Sequence, residues 1–275
     1  MSTKSILITG CSSGIGLHAA LTLSARGYRV FATAREEQDV ELLIAKGLTA
    51  YLLDVTKPES ITETLAKILE QTGGQLDCLF NNGAYGQPGA LEDLSTEALK
   101  AQFETNVFGW HELTKQVIPV MRRQGHGRII QCSSVLGFVS MAYRGAYNAS
   151  KYAIEGLTDT LRLELKPANI EVVLLQPGPI NTQFRANALA AFQENIDIDA
   201  SVHKVQYQQQ IERLTSEKSN AAFTLEPLHV TRALIHALES DRPKLRYRIT
   251  TPTKTFAILK RLLPARWLDY LLAKG

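Results

Sequence analysis

The sequence predicts an α/β fold, a single doubly wound parallel sheet of about seven strands with helices on both faces. Three observations predict it. Short apolar runs alternate along the chain with longer amphipathic segments. The middle runs ("VFATA", "CLF", "VVLLQ") are continuously apolar, as strands buried on both faces must be. The first run leads directly into a glycine-rich turn that opens a helix.

Taken in order, strands are expected at Ser5–Thr9, Arg29–Ala34, Thr49–Leu53, Asp77–Asn81, Gly127–Ser133, Ile170–Gln176 and Leu245–Ile249. A helix over Gly14–Arg26 ends at Gly27, a natural residue to follow a helix. Pro58–Gln71 starts on a proline, which suits a first turn, and is followed by Gly73 and Gly74. Ser95–Arg123 reads as helix with an interruption at Pro119, and Tyr147–Lys166 stops at Pro167. Residues 1–275 read as one domain, without internal repeat, low-complexity tract or linker. Two regions stand apart. Residues 182–224 form a long polar, partly helical insertion, and residues 253–275 form a basic amphipathic tail bent at Pro264. In that tail Phe256, Leu259, Leu263, Trp267 and Leu271 share a helical face, with Lys260, Arg261 and Arg266 nearby. Packing on the pocket or on a subunit partner is one reading of it, and contact with a membrane surface is the other.

Composition narrows the function classes. With 275 residues and 45% hydrophobic content the chain can bury a large core. Thirty Lys and Arg against 27 Asp and Glu leave a net charge of +3, too balanced to advertise a nucleic-acid partner. Cys11, Cys78 and Cys132 are odd in number and lack metal-ligand spacing, which favours a reducing compartment. The first strand begins too early to leave room for a signal peptide, and no apolar run reaches membrane-spanning length. A cytoplasmic protein is expected.

The first strand runs into "TGCSSGIG", Thr9 to Gly16. Gly10, Gly14 and Gly16 fall where the backbone must turn tightly, approach a ligand closely and present free N–H groups at a positive helix end. Thr9, Ser12, Ser13 and Ile15 complete this candidate pyrophosphate cradle, the mark of a Rossmann-like domain. The spacing is T-G-x-x-x-G-x-G rather than G-x-G-x-x-G, and it fixes Thr9 as well. The second strand closes on "FATAREE", where Ala34 brings no carboxylate for a ribose 2′-OH and Arg35 follows it. Arg35 is placed to pair a 2′-phosphate bidentately, which selects NADP over NAD, although Glu36 and Glu37 compete for it. Asp54, at the end of the third strand, is placed to accept from an adenine amino group or to cap the next turn.

In "GAYNASKYAIEG", Gly145 to Gly156, Tyr147 and Lys151 lie one helical turn apart with small residues between them. The spacing alone proves little, because Tyr270 and Lys274 repeat it. A carbonyl reduced by hydride needs a proton donor at its developing alkoxide. A free tyrosine, with a pKa near ~10, is a poor base for the reverse oxidation. Bringing it to about 7 takes roughly 4 kcal/mol at ~1.36 kcal/mol per unit. A cation about 4 Å away at an effective dielectric of ~20 supplies about that much. Lys151 is expected to be that cation.

With "DV" at 54–55, "NNGA" at 81–84, "ETNVFG" around Asn106, "SSVLG" at 133–137 and "PGPINT" at 177–182, the chain resembles the short-chain dehydrogenase/reductase family over nearly its whole length. The resemblance implies a catalytic tetrad of Asn106, Ser134, Tyr147 and Lys151; Ser134 lies thirteen residues before Tyr147, as the family pattern wants, whereas the decoy Tyr270 has Ala257 at that offset. Ser134 would bond the substrate oxygen, with Ser133 an adjacent rival, and Asn106 would link Lys151 to solvent through a water. Tyr147 and Lys151 would also contact the cofactor, with Val55, Asn81, Pro177 and Gly178 beside it and Ile180 and Thr182 at its carboxamide. One departure is "NNGA", where the family usually has Asn-Asn-Ala-Gly, so the flexible residue moves to Gly83.

The insertion and tail look most like retinol, hydroxysteroid and aldehyde-type reductases. "GFVSMAYRG" at 137–145, Phe184 and Phe192 suggest an apolar pocket. The expectation is an NADP(H)-dependent reductase of hydrophobic aldehydes or ketones, or the reverse alcohol oxidation, in a homo-oligomer. Two alternatives stand beside it: a non-catalytic NADP-binding regulator on the same fold, and an NAD-dependent alcohol or hydroxysteroid dehydrogenase.

Overall fold

The computed structural model describes residues 4–215 and 223–273. Part of the insertion, residues 216–222, lies outside the described residues, as does Lys274 of the decoy pair. The strands are β1 (Ser5–Ile8), β2 (Arg29–Ala34), β3 (Thr49–Leu52), β4 (Cys78–Asn81), β5 (Gly127–Cys132), β6 (Ile170–Gln176) and β7 (Arg246–Arg248). They form one parallel sheet in the order β3-β2-β1-β4-β5-β6-β7. Each expected strand is present to within a residue at either end.

Both faces of the sheet are buried, and the two-residue period of a strand sorts its side chains between two cores. Ile6, Ile8, Val30 and Ala32 pack with Leu23, Val230 and Leu234. Leu7, Phe31, Leu79 and Ile129 pack on the other face with Ile61, Leu65, Leu113 and Val117. The helices supplying these layers include α1 (Gly14–Ala25), α2 (Glu37–Ala45), α3 (Pro58–Thr72), α4 (Thr96–Phe103), α5 (Gly109–Gln124) and α6 (Gly145–Leu165). The insertion folds into α7 (Phe184–Asn195) and α8 (Lys204–Thr215), and α9 (Pro227–Glu239) returns the chain to the sheet. The tail is α10 (Thr251–Leu262) and α11 (Ala265–Leu272).

The structure corrects several expectations. Pro119 does not interrupt its helix: α5 runs through it, because Val117, Val120 and Met121 are buried around it. Burial of those side chains offsets the roughly 3 kcal/mol that an interior proline costs. The real irregularity comes earlier, where Glu104–Phe108 forms a π-helical turn between α4 and α5. Helix α2 was not expected. Its acidic first turn, Glu37 and Asp39, complements the positive helix end. Helix α6 ends at Leu165, ahead of Pro167 as expected, and passes into a short 3-10 turn, Lys166–Ala168. The tail's single apolar face is broken, since Leu263 is extended between α10 and α11. Thr253 and Ala257 are buried in the first half, whereas Trp267 in the second half is 64% exposed.

Candidate active site

The strand order reverses between β1 and β4, and the loops leaving their carboxyl ends form the crevice in which such sheets bind ligands. Thr9, Gly10 and the loop after β4 are bound tightly there. The Thr9 hydroxyl accepts the N–H groups of Asn82 and Gly83, both at 2.9 Å. Asn82 Nδ2 donates to the Thr9 and Gly10 carbonyls at 3.0 and 3.1 Å. A Cβ on Gly10 (φ +69) would lie 2.4 Å from Gly83 Cα, and one on Gly16 would lie 2.1 Å from the Gly10 carbonyl oxygen. These glycines are therefore required by close backbone approach. Asn82 braces the glycine loop, whereas the side chain of Asn81, expected beside the cofactor, is turned to Thr114 of α5 at 3.0 Å. Gly83 adopts no left-handed conformation; it leaves room for the Gly10 backbone.

The rest of the cradle stays available to a ligand. Ser12 is exposed, and Ser13 stands at the N-cap of α1 without a side-chain capping bond. The N–H groups of Gly14, Ile15 and Gly16, at a helix start, have no intrahelical partner. This donor set fits a pyrophosphate, so these residues would hold one together with the positive end of α1. Gly14 (φ +56) admits Thr182, whose methyl carbon would lie 2.9 Å from a Cβ there. The "PGPINT" segment is thereby brought onto the glycine loop. The Pro177 carbonyl accepts from Val135 N–H, and a Cβ on Gly178 would strike the Thr250 hydroxyl oxygen at 2.2 Å. Ile180 bridges to Leu225 through the neighbouring Pro179 carbonyl and Asn181 N–H, which leaves its own N–H uncommitted.

At the outer end of the crevice, Arg35 and Asp54 line an open groove with Lys57 and Ser60. Arg35, 72% exposed at its side chain, pairs with Glu36 at 3.0 Å. Asp54 accepts from the Thr56 N–H and hydroxyl at 3.0 and 2.7 Å, so its carboxylate is fixed in a turn. The carbonyl of Val55 lies against Gly109 at the start of α5. Cys11 is buried with its thiol on the Ile8 carbonyl, and burial raises its pKa to about 12, which makes it an inert small residue.

Helix α6 brings Tyr147 and Lys151 to the carboxyl end of β5. Lys151 is 2% exposed, and its Nζ donates to the Cys132 carbonyl at 2.7 Å. The same ammonium lies 4.3 Å from the Trp110 ring centre and 5.6 Å from that of Tyr147. Burial lowers the Lys151 pKa to about 8, opposed by Cys132 and Glu155. Tyr147 moves the other way: burial holds its phenol well above the ordinary range, and its bond to Ser134 pulls it only part of the way back. The expected acidification of Tyr147 by Lys151 is absent, because desolvation of the phenolate dominates and the ammonium is turned to Cys132. Ser134, not Ser133, meets the phenol. Its hydroxyl also accepts from Leu136 N–H at 3.1 Å, while Ser133 Oγ is buried against Gly137. Asn106 sits in the π-helical turn, fully buried, a local distortion frequent at functional sites. It bonds the Tyr85 N–H and carbonyl at 3.2 and 2.9 Å and Ser150 Oγ at 3.2 Å, so it fixes the loop after β4 against α6.

Tyr147 opens into a pocket enclosing about 410 Å³ between atoms, mouth included. Gly86, Leu136, Phe184, Ala188 and Leu214 give it apolar walls, and the Phe184 ring meets Tyr147 edge-on at 5.2 Å. Three arginines also line it: Arg144, Arg185 and Arg213. Reading the sequence missed these arginines, together with Asn82 and Trp110. Asn82 and Arg144 lie inside the "NNGA" and "GFVSMAYRG" stretches without a role of their own there, and Trp110, Arg185 and Arg213 sit on separate elements with no local pattern.

The family model described as short chain dehydrogenase matches residues 4–192. An uncharacterized oxidoreductase of Escherichia coli K12, YbbO, is 41% identical over 269 residues, covering 98% of this chain and 94% of its own length. Human retinol dehydrogenase 8 is 34% identical over 253 residues, covering 88% of this chain and 80% of its own. A crystal structure of a short-chain dehydrogenase from Streptomyces avermitilis superposes with a TM-score of 0.79 at 30% identity, across 95% of this chain and 94% of that one.

Proposed function

The chain is an oxidoreductase belonging to the short-chain dehydrogenase family, and from that premise we propose that it reduces hydrophobic aldehydes or ketones with NADPH. The observation that carries the reading is the buried Ser134–Tyr147–Lys151 group opening into an apolar-walled pocket. When bound, the nicotinamide would supply the hydride. Tyr147 would donate its proton to the carbonyl oxygen, so that aldehyde, NADPH and a proton give alcohol and NADP. A phenol whose pKa is raised by burial is a protonated donor at neutral pH, which suits the reductive direction. Ser134 would bond the same oxygen, and Lys151 would hold the ribose. The apolar walls would exclude water from the reacting carbon.

Arg35 supports NADP over NAD, because β2 ends on Ala34 without a carboxylate and the guanidinium follows it directly. Retinol dehydrogenase 8, whose name gives it a hydrophobic alcohol, supports the substrate class. The test is turnover of nonanal and of 4-methylbenzaldehyde, followed by loss of NADPH or NADH absorbance. Oxidation of NADPH tied to alcohol formation is expected. Tight cofactor binding without turnover on any carbonyl would favour a regulatory NADP-binding protein instead.

A further inference from the structure

The pocket walls hold a contradiction that an apolar substrate does not resolve. Arg144, Arg185 and Arg213 come from the start of α6, from α7 and from α8, and converge on one cavity beside Tyr147. Among the described residues, none of the three makes a salt bridge. Arg144 is the most enclosed. Its Nη1 reaches only the weak acceptor Met141 Sδ at 3.2 Å, and its buried Nε has no partner. Arg213 Nε is bound to the neutral Gln210 at 3.1 Å. Burial and mutual repulsion weaken the hold of both on their protons: Arg213 falls to about 9, and Arg144 falls through burial and then Arg185. Gathering unpaired guanidinium groups in an apolar wall is costly unless something anionic enters.

The surrounding packing fixes this arrangement. Tyr143, just before Arg144, holds a left-handed conformation (φ 60) that a tyrosine rarely adopts. Its ring packs edge-on against Tyr207 of α8 at 5.9 Å. Tyr207 in turn donates to Asp93 and to nothing in the pocket, so the nearby carboxylate is spent on anchoring α8. Asp93 is thus committed to Tyr207 and Ser201, and among the described residues no carboxylate pairs with the three cations.

We propose that the substrate is an amphipathic carbonyl compound with an anionic end group, a carboxylate or a phosphate. Arg144, Arg185 and Arg213 bind the anion while Tyr147 addresses the carbonyl. This rests on the reading of Tyr147 as the proton donor of a carbonyl reductase. Planar guanidinium forks match the oxygens of either anion bidentately. The apolar walls between the arginines and Tyr147 would carry the hydrocarbon part.

The experiment compares kcat/KM for chain-matched pairs: butanal with 4-oxobutanoate, hexanal with 6-oxohexanoate, and nonanal with 9-oxononanoate. A second arm compares 4-methylbenzaldehyde, 4-carboxybenzaldehyde and 4-formylphenyl phosphate, which separates carboxylate from phosphate. At one or more lengths, or in one aromatic anion, we expect a preference of at least about tenfold, mainly through KM. In Arg185→Gln and Arg213→Gln that anionic-to-neutral ratio should fall by about tenfold, ~1.4 kcal/mol. Turnover of the neutral aldehydes with no anionic preference in any pair would overturn the proposal and leave the reductase reading standing. If no aldehyde reacts, the reductase reading has failed, and calorimetric binding of nonanoate against 1-nonanol decides the anion site alone. Nonanoate binding that weakens tenfold in Arg213→Gln supports the site, and unchanged binding overturns it.

Discussion

The ammonium of Lys151 stands 4.3 Å from the centre of the Trp110 ring. Trp110 is itself fully buried, and its Nε1 donates to the Gly83 carbonyl at 2.8 Å, in the loop braced against Gly10. One indole thus links the buried Lys151 ammonium to the glycine loop. A ring face is a modest substitute for water, worth ~0.5–2 kcal/mol to a cation. Replacing it by leucine should lower the Lys151 pKa further below about 8. The alkaline limb of the turnover–pH profile should move down by roughly half a unit to one unit in Trp110→Leu. Trp110→Phe keeps a ring face, so its limb should stay with wild type while its stability falls by ~1 kcal/mol for the lost hydrogen bond. Superimposable limbs for Trp110→Leu and wild type would remove the indole from the account.

Burying Lys151 should also cost stability in a pH-dependent way. Its pKa is about 8 in the folded protein and ~10.4 in an unfolded chain, so the unfolded state holds more protons between these values. Stability therefore rises with pH across that window, and the full penalty, on the order of 3 kcal/mol, is present below it. Lys151→Met removes the charge but leaves the Cys132 carbonyl without its donor. The variant should be inactive yet more stable than wild type at pH 7, by about 1–3 kcal/mol in urea melts. The gap should narrow between pH 8 and pH 10. A wild type that is the more stable protein at pH 7 would contradict this.

Cofactor choice turns on Arg35. Arg35→Asp should lose the preference for NADPH by tenfold or more, a change of ~1.4 kcal/mol. The readout is the ratio of kcat/KM for NADPH and NADH. Wild-type protein that uses the two equally would show that Glu36, which now holds the guanidinium at 3.0 Å, keeps Arg35 from a 2′-phosphate.

The tail should divide in function where it divides in structure. Removing residues after Leu263 deletes α11, whose Trp267 and Tyr270 are mostly exposed, and should leave melting temperature and KM nearly unchanged. Truncation after Pro252 deletes α10 as well. It removes buried Ala257 and the Thr253 hydroxyl that pairs with Thr250 at 2.9 Å beside Gly178. That truncation should lower the melting temperature and weaken cofactor binding. Equal behaviour of the two truncations would show that α10 supports nothing at the site.

Much of this architecture was legible in the sequence because its signals are local. A strand that ends in Thr9-Gly10 and a helix that starts at Gly14 declare a ligand loop by backbone needs alone. Tyr147 and Lys151 declare a shared face by their spacing. What stayed hidden was phase. Asn81 and Asn82 are neighbours, as are Ser133 and Ser134, and adjacent residues at a strand end point in opposite directions. Only the fold shows that Asn82 braces the loop and Ser134 meets Tyr147. The arginine cluster was hidden for another reason. Arg144 just before α6, Arg185 on α7 and Arg213 on α8 are far apart in the chain and come together only at the folded pocket.

The central claim is that Tyr147 is the proton donor to a carbonyl. Tyr147→Phe keeps the ring that packs against Phe184 at 5.2 Å and removes only the hydroxyl. The direct measurement is NADPH binding by fluorescence beside aldehyde reduction by absorbance, on this variant and on wild type. The account predicts near-normal binding with turnover reduced by about a hundredfold or more, the usual scale for a lost general acid. Near-normal turnover at saturating NADPH would contradict it.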